Sequence, residues 1–430
     1  MADLIVRGGN KLKGEITPAG NKNAALPILC ATLLTNETVT LRNFPDLLDV
    51  HKLVDLLISL GSEIEWNKEN KVIEINNSNL KKAFGEEGFP LGMRGAVLLL
   101  GPLAVRMNKI EVKSEIGGCS LGIRELDPHI DILKGLGAKV KSNEHLTIDT
   151  SGGLFGNSIW LDYMSVTTTE NFLMAASMTK GKSDLTNAAS EPHVQDLCNF
   201  LIQMGAKIEG VGSCKVVVEG VEELHGTDFT ISSDHHEITT LLALGAMTRG
   251  DVKVKNAEPK YFPLIKRSFM KLGVNIKYDG DTAIVNGKQE LEVLEPYTKN
   301  LLQKIEAAPW PYFPADLLPL MIALSVKAEG SILFWNKLYE GGFFWIPEIV
   351  KFGAQVIMCD PHRVIVYGNK PLKPANVNAP DIIRATVALL MVALSIEGES
   401  RIHNADSIKR AHPNFIENLN KLGADIEWVE

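Results

Sequence analysis

The sequence predicts an α/β fold made of six similar units grouped into two domains, and three observations carry that expectation. A short phrase recurs six times, as Leu60-Gly61-Ser62, Leu136-Gly137-Ala138, Met204-Gly205-Ala206, Leu272-Gly273-Val274, Phe352-Gly353-Ala354 and Leu422-Gly423-Ala424. Its glycines stand about 70–80 residues apart, longer than an ordinary solenoid repeat, so each unit reads as a βαβ-type subdomain. The length of 430 residues suits two domains of about 200 residues, each with three units.

Within a unit the elements follow in a fixed order. A helical run ends in a small residue and a polar turn, as in Ala246-Met247-Thr248-Arg249-Gly250. A strand with period-two alternation follows, such as Asp251-Val252-Lys253-Val254-Lys255. An Asn-led loop comes next, with Asn43, Asn187, Asn256, Asn336 and Asn404 at equivalent places. A second helix runs into the repeated phrase, whose glycine fits a helix C-terminus with left-handed backbone, and a further strand completes the unit. The segment 294–314, rich in proline and aromatics, reads as an irregular, ordered connection. Asn67–Asn70 and Asn76–Lys82 read as polar surface loops.

Composition narrows the function classes. With 45% hydrophobic and 22% charged residues the chain is an ordinary globular protein. The net charge of −8, without a long Lys/Arg run, argues against nonspecific nucleic-acid binding but leaves room for a local basic site. The start, Met-Ala-Asp-Leu-Ile-Val-Arg, is strand-like and unlike a signal peptide, and no apolar run reaches membrane-spanning length. The five scattered cysteines, without a CxxC pair, read as reduced thiols of a cytoplasmic protein.

Three places break the repeat grammar. After the first strands, Gly20-Asn21-Lys22-Asn23 opens a helix, and exposed N–H groups, the helix dipole and an ammonium together favour an anion; otherwise Lys22 is a solvated surface charge. In Gly117-Gly118-Cys119-Ser120-Leu121-Gly122-Ile123-Arg124 a glycine-rich loop replaces a short turn, and a thiol near an arginine can act as acid or nucleophile; otherwise Cys119 is a packing residue. The C-terminal half offers Pro314-Ala315-Asp316, Asp381-Ile382-Ile383-Arg384 and Lys409-Arg410, where a carboxylate could deprotonate a hydroxyl and arginines could fork onto anionic oxygens. Asp234-His235-His236-Glu237 resembles a metal cluster, but adjacent residues are expected to point apart, so no metal is assigned there.

Gly-Asn-Lys-Asn-Ala-Ala-Leu-Pro from Gly20 and the Cys119 loop together resemble the enolpyruvyl transferases over essentially the whole chain. The resemblance implies a two-domain inside-out α/β barrel of six βαβ-type repeats, with pseudo-threefold symmetry in each domain. The domains would span 22–232 and 1–21 plus 233–430. It implies transfer of the enolpyruvyl group of phosphoenolpyruvate to the 3′-hydroxyl of UDP-N-acetylglucosamine with loss of phosphate, the entry to peptidoglycan synthesis. It implies these two substrates as partners, without metal or organic cofactor; a cytoplasmic chain without nucleic acid or membrane partners fits the composition, a monomer is compatible with it, and the sequence leaves the oligomeric state open. Cys119, Asp316 and Lys22 would be the catalytic residues, Asp316 as base for the hydroxyl and Cys119 as the thiol that adds to phosphoenolpyruvate. Asn23, Arg124 and Arg410 would meet phosphoenolpyruvate. Arg94, the run Arg124, Glu125, Leu126, Asp127 and Pro128, Ser165, Val166 and Glu191 would line the sugar-nucleotide site. Leu338 would contribute a backbone contact and Arg384 a further charge.

Some positions depart from the family pattern. The expected arginine after Glu340 is absent, the sequence reading Glu340-Gly341-Gly342. The Asp-X-Arg motif is one residue longer at Asp381–Arg384, His235 replaces an arginine, Ala315 a hydroxyl residue, and Thr167 a glycine. Two alternatives therefore stay open: enolpyruvyl transfer to another nucleotide or nucleotide sugar, and a catalytically weak paralogue that binds a nucleotide sugar.

Overall fold

The structure is a computed structural model that describes residues 2–81, 94–112, 125–142, 145–410, 412 and 414–429. By compactness the chain divides into two units, one holding residues 1–19 with 233–430, the other the described residues between 20 and 232.

All six repeat glycines adopt positive φ, from 77° at Gly273 to 110° at Gly205. Each follows the end of a helix in left-handed backbone, which strains any residue with a Cβ, so the recurring phrase is a helix C-terminus. At Gly61 the Ser62 N–H donates to Leu57 O (3.0 Å) and the Gly61 N–H to Ile58 O (2.9 Å). The same nested pair recurs at Gly137, Gly205, Gly273 and Gly423. Four of the five Asn-led loops use an Asn in left-handed backbone: Asn43, Asn187, Asn256 and Asn404. Asn336 differs, because its side chain instead folds over the loop that follows.

Every repeat builds one small sheet, three in each unit. In the unit that includes both chain ends, Asp3–Gly8 lies between Gly398–His403 and Asp425–Val429, closing the last repeat with the first strand. Lys13–Ile16 runs parallel to Asp251–Val254. The third sheet pairs Gln303–Ala307 in parallel with Gly330–Asn336. This corrects the reading of 294–314 as wholly irregular. The proline- and aromatic-rich composition hides a five-residue strand whose inward residues, Ile305 and Ala307, reach the core.

The sheets face outward and helices fill the interior. His235–Met247 and Leu318–Val326 are buried at every residue, and Ile383–Leu394 from Ala385 onward. A helix buried on all sides is a core element, and the apolar stretches of these three share one core. The other unit repeats the plan with Lys22–Ala31, Leu100–Arg106 and Val166–Ala176, while amphipathic helices such as Pro192–Gln203 lie further out. No helix among the described residues is long and apolar enough to cross a membrane.

Candidate functional site

In the unit spanning 20–232, the expected anion site is already occupied by the protein itself. Asn21 caps the helix Lys22–Ala31, its Oδ1 accepting from the N–H groups of Asn23 (2.8 Å) and Ala24 (3.3 Å). Lys22 Nζ donates to Asp49 Oδ2 at 2.9 Å, with both side chains largely shielded. An anion must therefore draw the Lys22 ammonium away from Asp49. Gly20 admits no side chain, since a Cβ there would stand 1.9 Å from Asn43 O.

Ser165 and Val166 start the helix Val166–Ala176, and Ser165 Oγ shares a hydrogen with Thr168 Oγ1 at 2.8 Å. Asp127 and Pro128 start the helix Asp127–Gly135, with Leu126 before them and Glu125 exposed. The two helix starts are tied together by His129, which sequence reasoning missed. Asn171 Nδ2 lies 2.8 Å from His129 Nδ1, and Thr167 Oγ1 lies 3.3 Å from Nε2. An amide NH₂ can only donate, so Nδ1 is the acceptor and the ring proton sits on Nε2, pointing at Thr167. Burial pushes His129 down to about 4, which keeps it neutral. Thr167, where a glycine was expected, is thus the hydroxyl that receives this histidine. Glu191 precedes the helix Pro192–Gln203. Its neighbour Glu170 is buried among the helices, and burial first, then the Glu191 charge, pushes the Glu170 carboxyl well above the usual range.

Cys119 and Arg124 lie outside the described residues. Arg94 begins the helical turn Arg94–Leu99, and its side chain is likewise outside them.

The unit containing both chain ends brings together a cluster that the sequence split across almost 180 positions. Asp234 caps the helix His235–Met247, its Oδ1 accepting both the His236 N–H (2.8 Å) and His236 Nδ1 (3.0 Å). His236 Nε2 faces Asp316 Oδ2 at 3.8 Å, and Asp316 belongs to the turn Ala315–Leu317 that leads into Leu318–Val326. Arg384 Nη2 stands 3.7 Å from Asp234 Oδ2, while its Nη1 is hydrogen-bonded to His412 Nε2. His412 Nδ1 lies 3.9 Å from Glu237 Oε2, which itself accepts the Ala19 N–H at 2.9 Å. All of these side chains are buried except Asp316, 42% exposed, and Arg384, 13% exposed. Burial alone would raise the Asp234 carboxyl. The hydrogen bond from His236, the positive charge that ring carries when protonated, and then Arg384 and a protonated His412 outweigh it and hold Asp234 well below the ordinary carboxylate range.

The expectation that Asp234, His235 and His236 point apart is overturned. Each offers a donor atom within 4.8 Å of the others, and the two imidazoles lie 4.0 Å apart at 34°. The reason is that Asp234 is the non-helical cap (φ −70°, ψ 103°), so its side chain folds back over the first turn. The grouping reads as an ion-pair network. Arg384 already supplies the positive charge, and a cation would have to displace the Asp234–His236 bond beside a guanidinium.

The extra residue in Asp381–Arg384 sends its two ends in opposite directions. Arg384 turns inward from the second position of its helix, while Asp381 stays exposed beside Arg410 Nη1 at 3.4 Å. The loop after Asn336 explains the missing arginine. Asn336 Oδ1 accepts from the Leu338 N–H (3.0 Å) and the Tyr339 N–H (3.1 Å), and a Cβ at Gly342 would stand 2.1 Å from Asn336 Nδ2. The turn therefore closes over Asn336 with no space for a side chain at 342. The Leu338 N–H is spent on this turn, so a ligand contact there falls to its carbonyl. The Lys337 ammonium, on the same loop, donates to Glu306 Oε2 at 2.6 Å and lies over the Trp335 ring.

Comparison with known proteins assigns this scaffold of six repeats in two units to a family. The profile of the family described as EPSP synthase (3-phosphoshikimate 1-carboxyvinyltransferase) matches residues 6–419. The chain belongs to this family. Among curated relatives, UDP-N-acetylglucosamine 1-carboxyvinyltransferase of Borrelia garinii subsp. bavariensis is 40% identical over 430 residues, covering 100% of both chains. Its namesake from Bacteroides fragilis is 40% identical over 438 residues, again covering 100% of both. Among solved structures, the enolpyruvyl transferase NikO from Streptomyces tendae shares the fold with a TM-score of 0.85 at 22% identity, over 100% of this chain and 99% of that one. EPSP synthase from Acinetobacter baumannii matches with a TM-score of 0.75 at 17% identity over 100% of both.

Proposed function

We infer that the protein transfers the enolpyruvyl group of phosphoenolpyruvate to the 3′-hydroxyl of UDP-N-acetylglucosamine and releases phosphate. The observation that carries this reading is 40% identity over the entire chain to relatives of that name. The same reading makes it a cytoplasmic enzyme of peptidoglycan synthesis.

Asp316 is the base. Its carboxylate is the one member of the buried cluster with substantial exposure, so it alone can meet a hydroxyl from solvent. The hydroxyl gives its proton to Asp316 as its oxygen bonds to C2 of phosphoenolpyruvate, and C3 takes a proton from an acid, the role we assign to Cys119. Loss of a proton from C3 and of phosphate from C2 then yields the enol ether. Lys22, freed from Asp49, with Asn23, Arg124 and Arg410, holds the anionic groups of phosphoenolpyruvate. Ser165, Val166, Asp127, Pro128 and Glu191 hold the nucleotide sugar, with Arg94, Glu125, Leu126 and the Leu338 carbonyl in support.

The test is phosphate release from phosphoenolpyruvate with UDP-N-acetylglucosamine beside a panel of other nucleotides and nucleotide sugars. Release that depends on UDP-N-acetylglucosamine is expected. Release with a different acceptor alone would replace the acceptor in this reading. The closed turn at Gly342 and the engaged Lys337 favour one further reading, a weakly catalytic nucleotide-sugar binder. Binding of UDP-N-acetylglucosamine by calorimetry with no release from any acceptor would select it.

A further inference from the structure

We propose that His236 is the proton acceptor behind Asp316, held in the required tautomer by Asp234. The inference rests on the reading of Asp316 as the base and extends it to a residue that never touches substrate. His236 is thus a positioning residue.

The geometry has three linked parts. Asp234 Oδ1, a pure acceptor, lies 3.0 Å from His236 Nδ1, so the ring proton of neutral His236 sits on Nδ1. That leaves the Nε2 lone pair facing Asp316 Oδ2 at 3.8 Å, a gap that has to close to about 3 Å before a proton passes. Asp234 is buried and held ionised, so it can stabilise an imidazolium without taking a proton itself.

The remaining charged and titratable groups around His236 come from every neighbouring element. His235 and Glu237 lie on its own helix. Asp316 comes from the turn before Leu318–Val326, Arg384 from the start of Ile383–Leu394, and His412 from the C-terminal segment. Arg384 stands against Asp234, and its other nitrogen is taken by His412. The guanidinium is therefore bound to the far side of the Asp234 carboxylate, and the near side is left to His236.

The step balances as one proton transfer. The acceptor hydroxyl loses its proton to Asp316 Oδ2 while its oxygen forms the bond to C2, and the carbon–carbon π pair takes a proton at C3 from the acid. The proton on Asp316 then passes to His236 Nε2. This restores the Asp316 carboxylate and leaves an imidazolium facing Asp234, which gives its proton to the departing phosphate or to solvent before the next turnover. Nothing is oxidised or reduced. Without His236 the proton has to stay on Asp316 or leave to solvent, and a base that remains protonated cannot serve the later proton loss from C3.

Two measurements test this. In the first, kcat and KM are measured for the wild-type protein, His236→Gln and Asp234→Asn, the last of which keeps a helix cap. For His236→Gln we expect kcat to fall at least about tenfold with both KM values within about threefold. For Asp234→Asn we expect a smaller loss of kcat, because a neutral amide no longer stabilises the imidazolium. An unchanged kcat in His236→Gln, or a loss confined to KM, would reduce His236 to a packing role and overturn the proposal. The second needs no turnover. The ¹⁵N resonances of the His236 ring, assigned with His236→Gln, should report the Nδ1–H tautomer, and Asp316→Asn should move the Nε2 resonance. The Nε2–H tautomer, or indifference to Asp316→Asn, sinks the proposal. Wild-type protein silent towards UDP-N-acetylglucosamine, with the His236–Asp316 coupling present, would instead reject the acceptor reading and leave the coupling standing.

Discussion

His129 and His236 are both buried histidines near the start of a helix, one in each unit, and their neighbours make them opposites. His129 meets an amide and a hydroxyl, from Asn171 and Thr167. Neither compensates a positive charge, so burial rules and the ring stays neutral. His236 lies between two carboxylates, Asp234 and Asp316. Carboxylates on both sides can compensate a positive charge on the ring, whereas an amide and a hydroxyl hold it as an uncharged hydrogen-bonding post.

The largest expected effect cuts the exposed end of the charged cluster. Asp316→Ala removes the proposed base and should lower kcat by about 10²–10⁴-fold with little change in nucleotide-sugar affinity. Steady-state kinetics with calorimetric binding decides it, and a loss below about threefold would move the base elsewhere. The next prediction separates stability from catalysis. Arg384→Ala leaves the buried Asp234 carboxylate without its guanidinium and should cost about 3 kcal/mol, read as a lowered urea midpoint. An unchanged midpoint would mean that His236 alone balances Asp234.

The neutral histidine gives a prediction of the same order in the other unit. In the unfolded chain His129 titrates near its ordinary 6.5, and in the folded protein near 4. Between those values the unfolded state binds the proton and the folded state does not. The contribution is therefore complete above pH 6.5 and is lost as pH falls towards 4, on the order of 3 kcal/mol in all. His129→Gln should flatten the pH dependence of the denaturation midpoint across that window. An equally steep profile in the variant would assign the acid sensitivity to other groups.

Fold and site were legible in the sequence to different depths, for physical reasons. A helix C-terminus that needs positive φ admits few residues, so Gly61, Gly137, Gly205, Gly273, Gly353 and Gly423 left a periodic mark and the six-unit plan could be read directly. The strand Gln303–Ala307 was missed because three of its five residues are polar or charged and its flanks are rich in proline. In the site, Lys22 and Asp316 stand in local motifs, and such motifs can be read along a line. The partnerships of Lys22 with Asp49, Arg384 with Asp234, and His236 with Asp316 join residues 27, 150 and 80 positions apart. Only packing brings them together. His129 had one faint signal, its place next to Asp127-Pro128, and nothing in the sequence marked Asn171 as its partner.

The smallest effect tests whether the missing arginine is a lost function or a rebuilt loop. Gly342→Arg restores the residue that the family pattern expects. A Cβ at 342 would stand 2.1 Å from Asn336 Nδ2, and that side chain also holds the turn by accepting the N–H groups of Leu338 and Tyr339. Asn336 is buried, so it has little room to retreat. The substitution should therefore destabilise by about 1–3 kcal/mol, the usual cost of forcing extra volume into a packed site, and should not raise kcat/KM for phosphoenolpyruvate. The double substitution Gly342→Arg with Asn336→Gly relieves the collision but releases the turn, so its stability should fall as well. If Gly342→Arg instead raised kcat/KM at unchanged stability, the loop would be adaptable, and the arginine's absence would be a deficit that the charged cluster of the same unit does not make good.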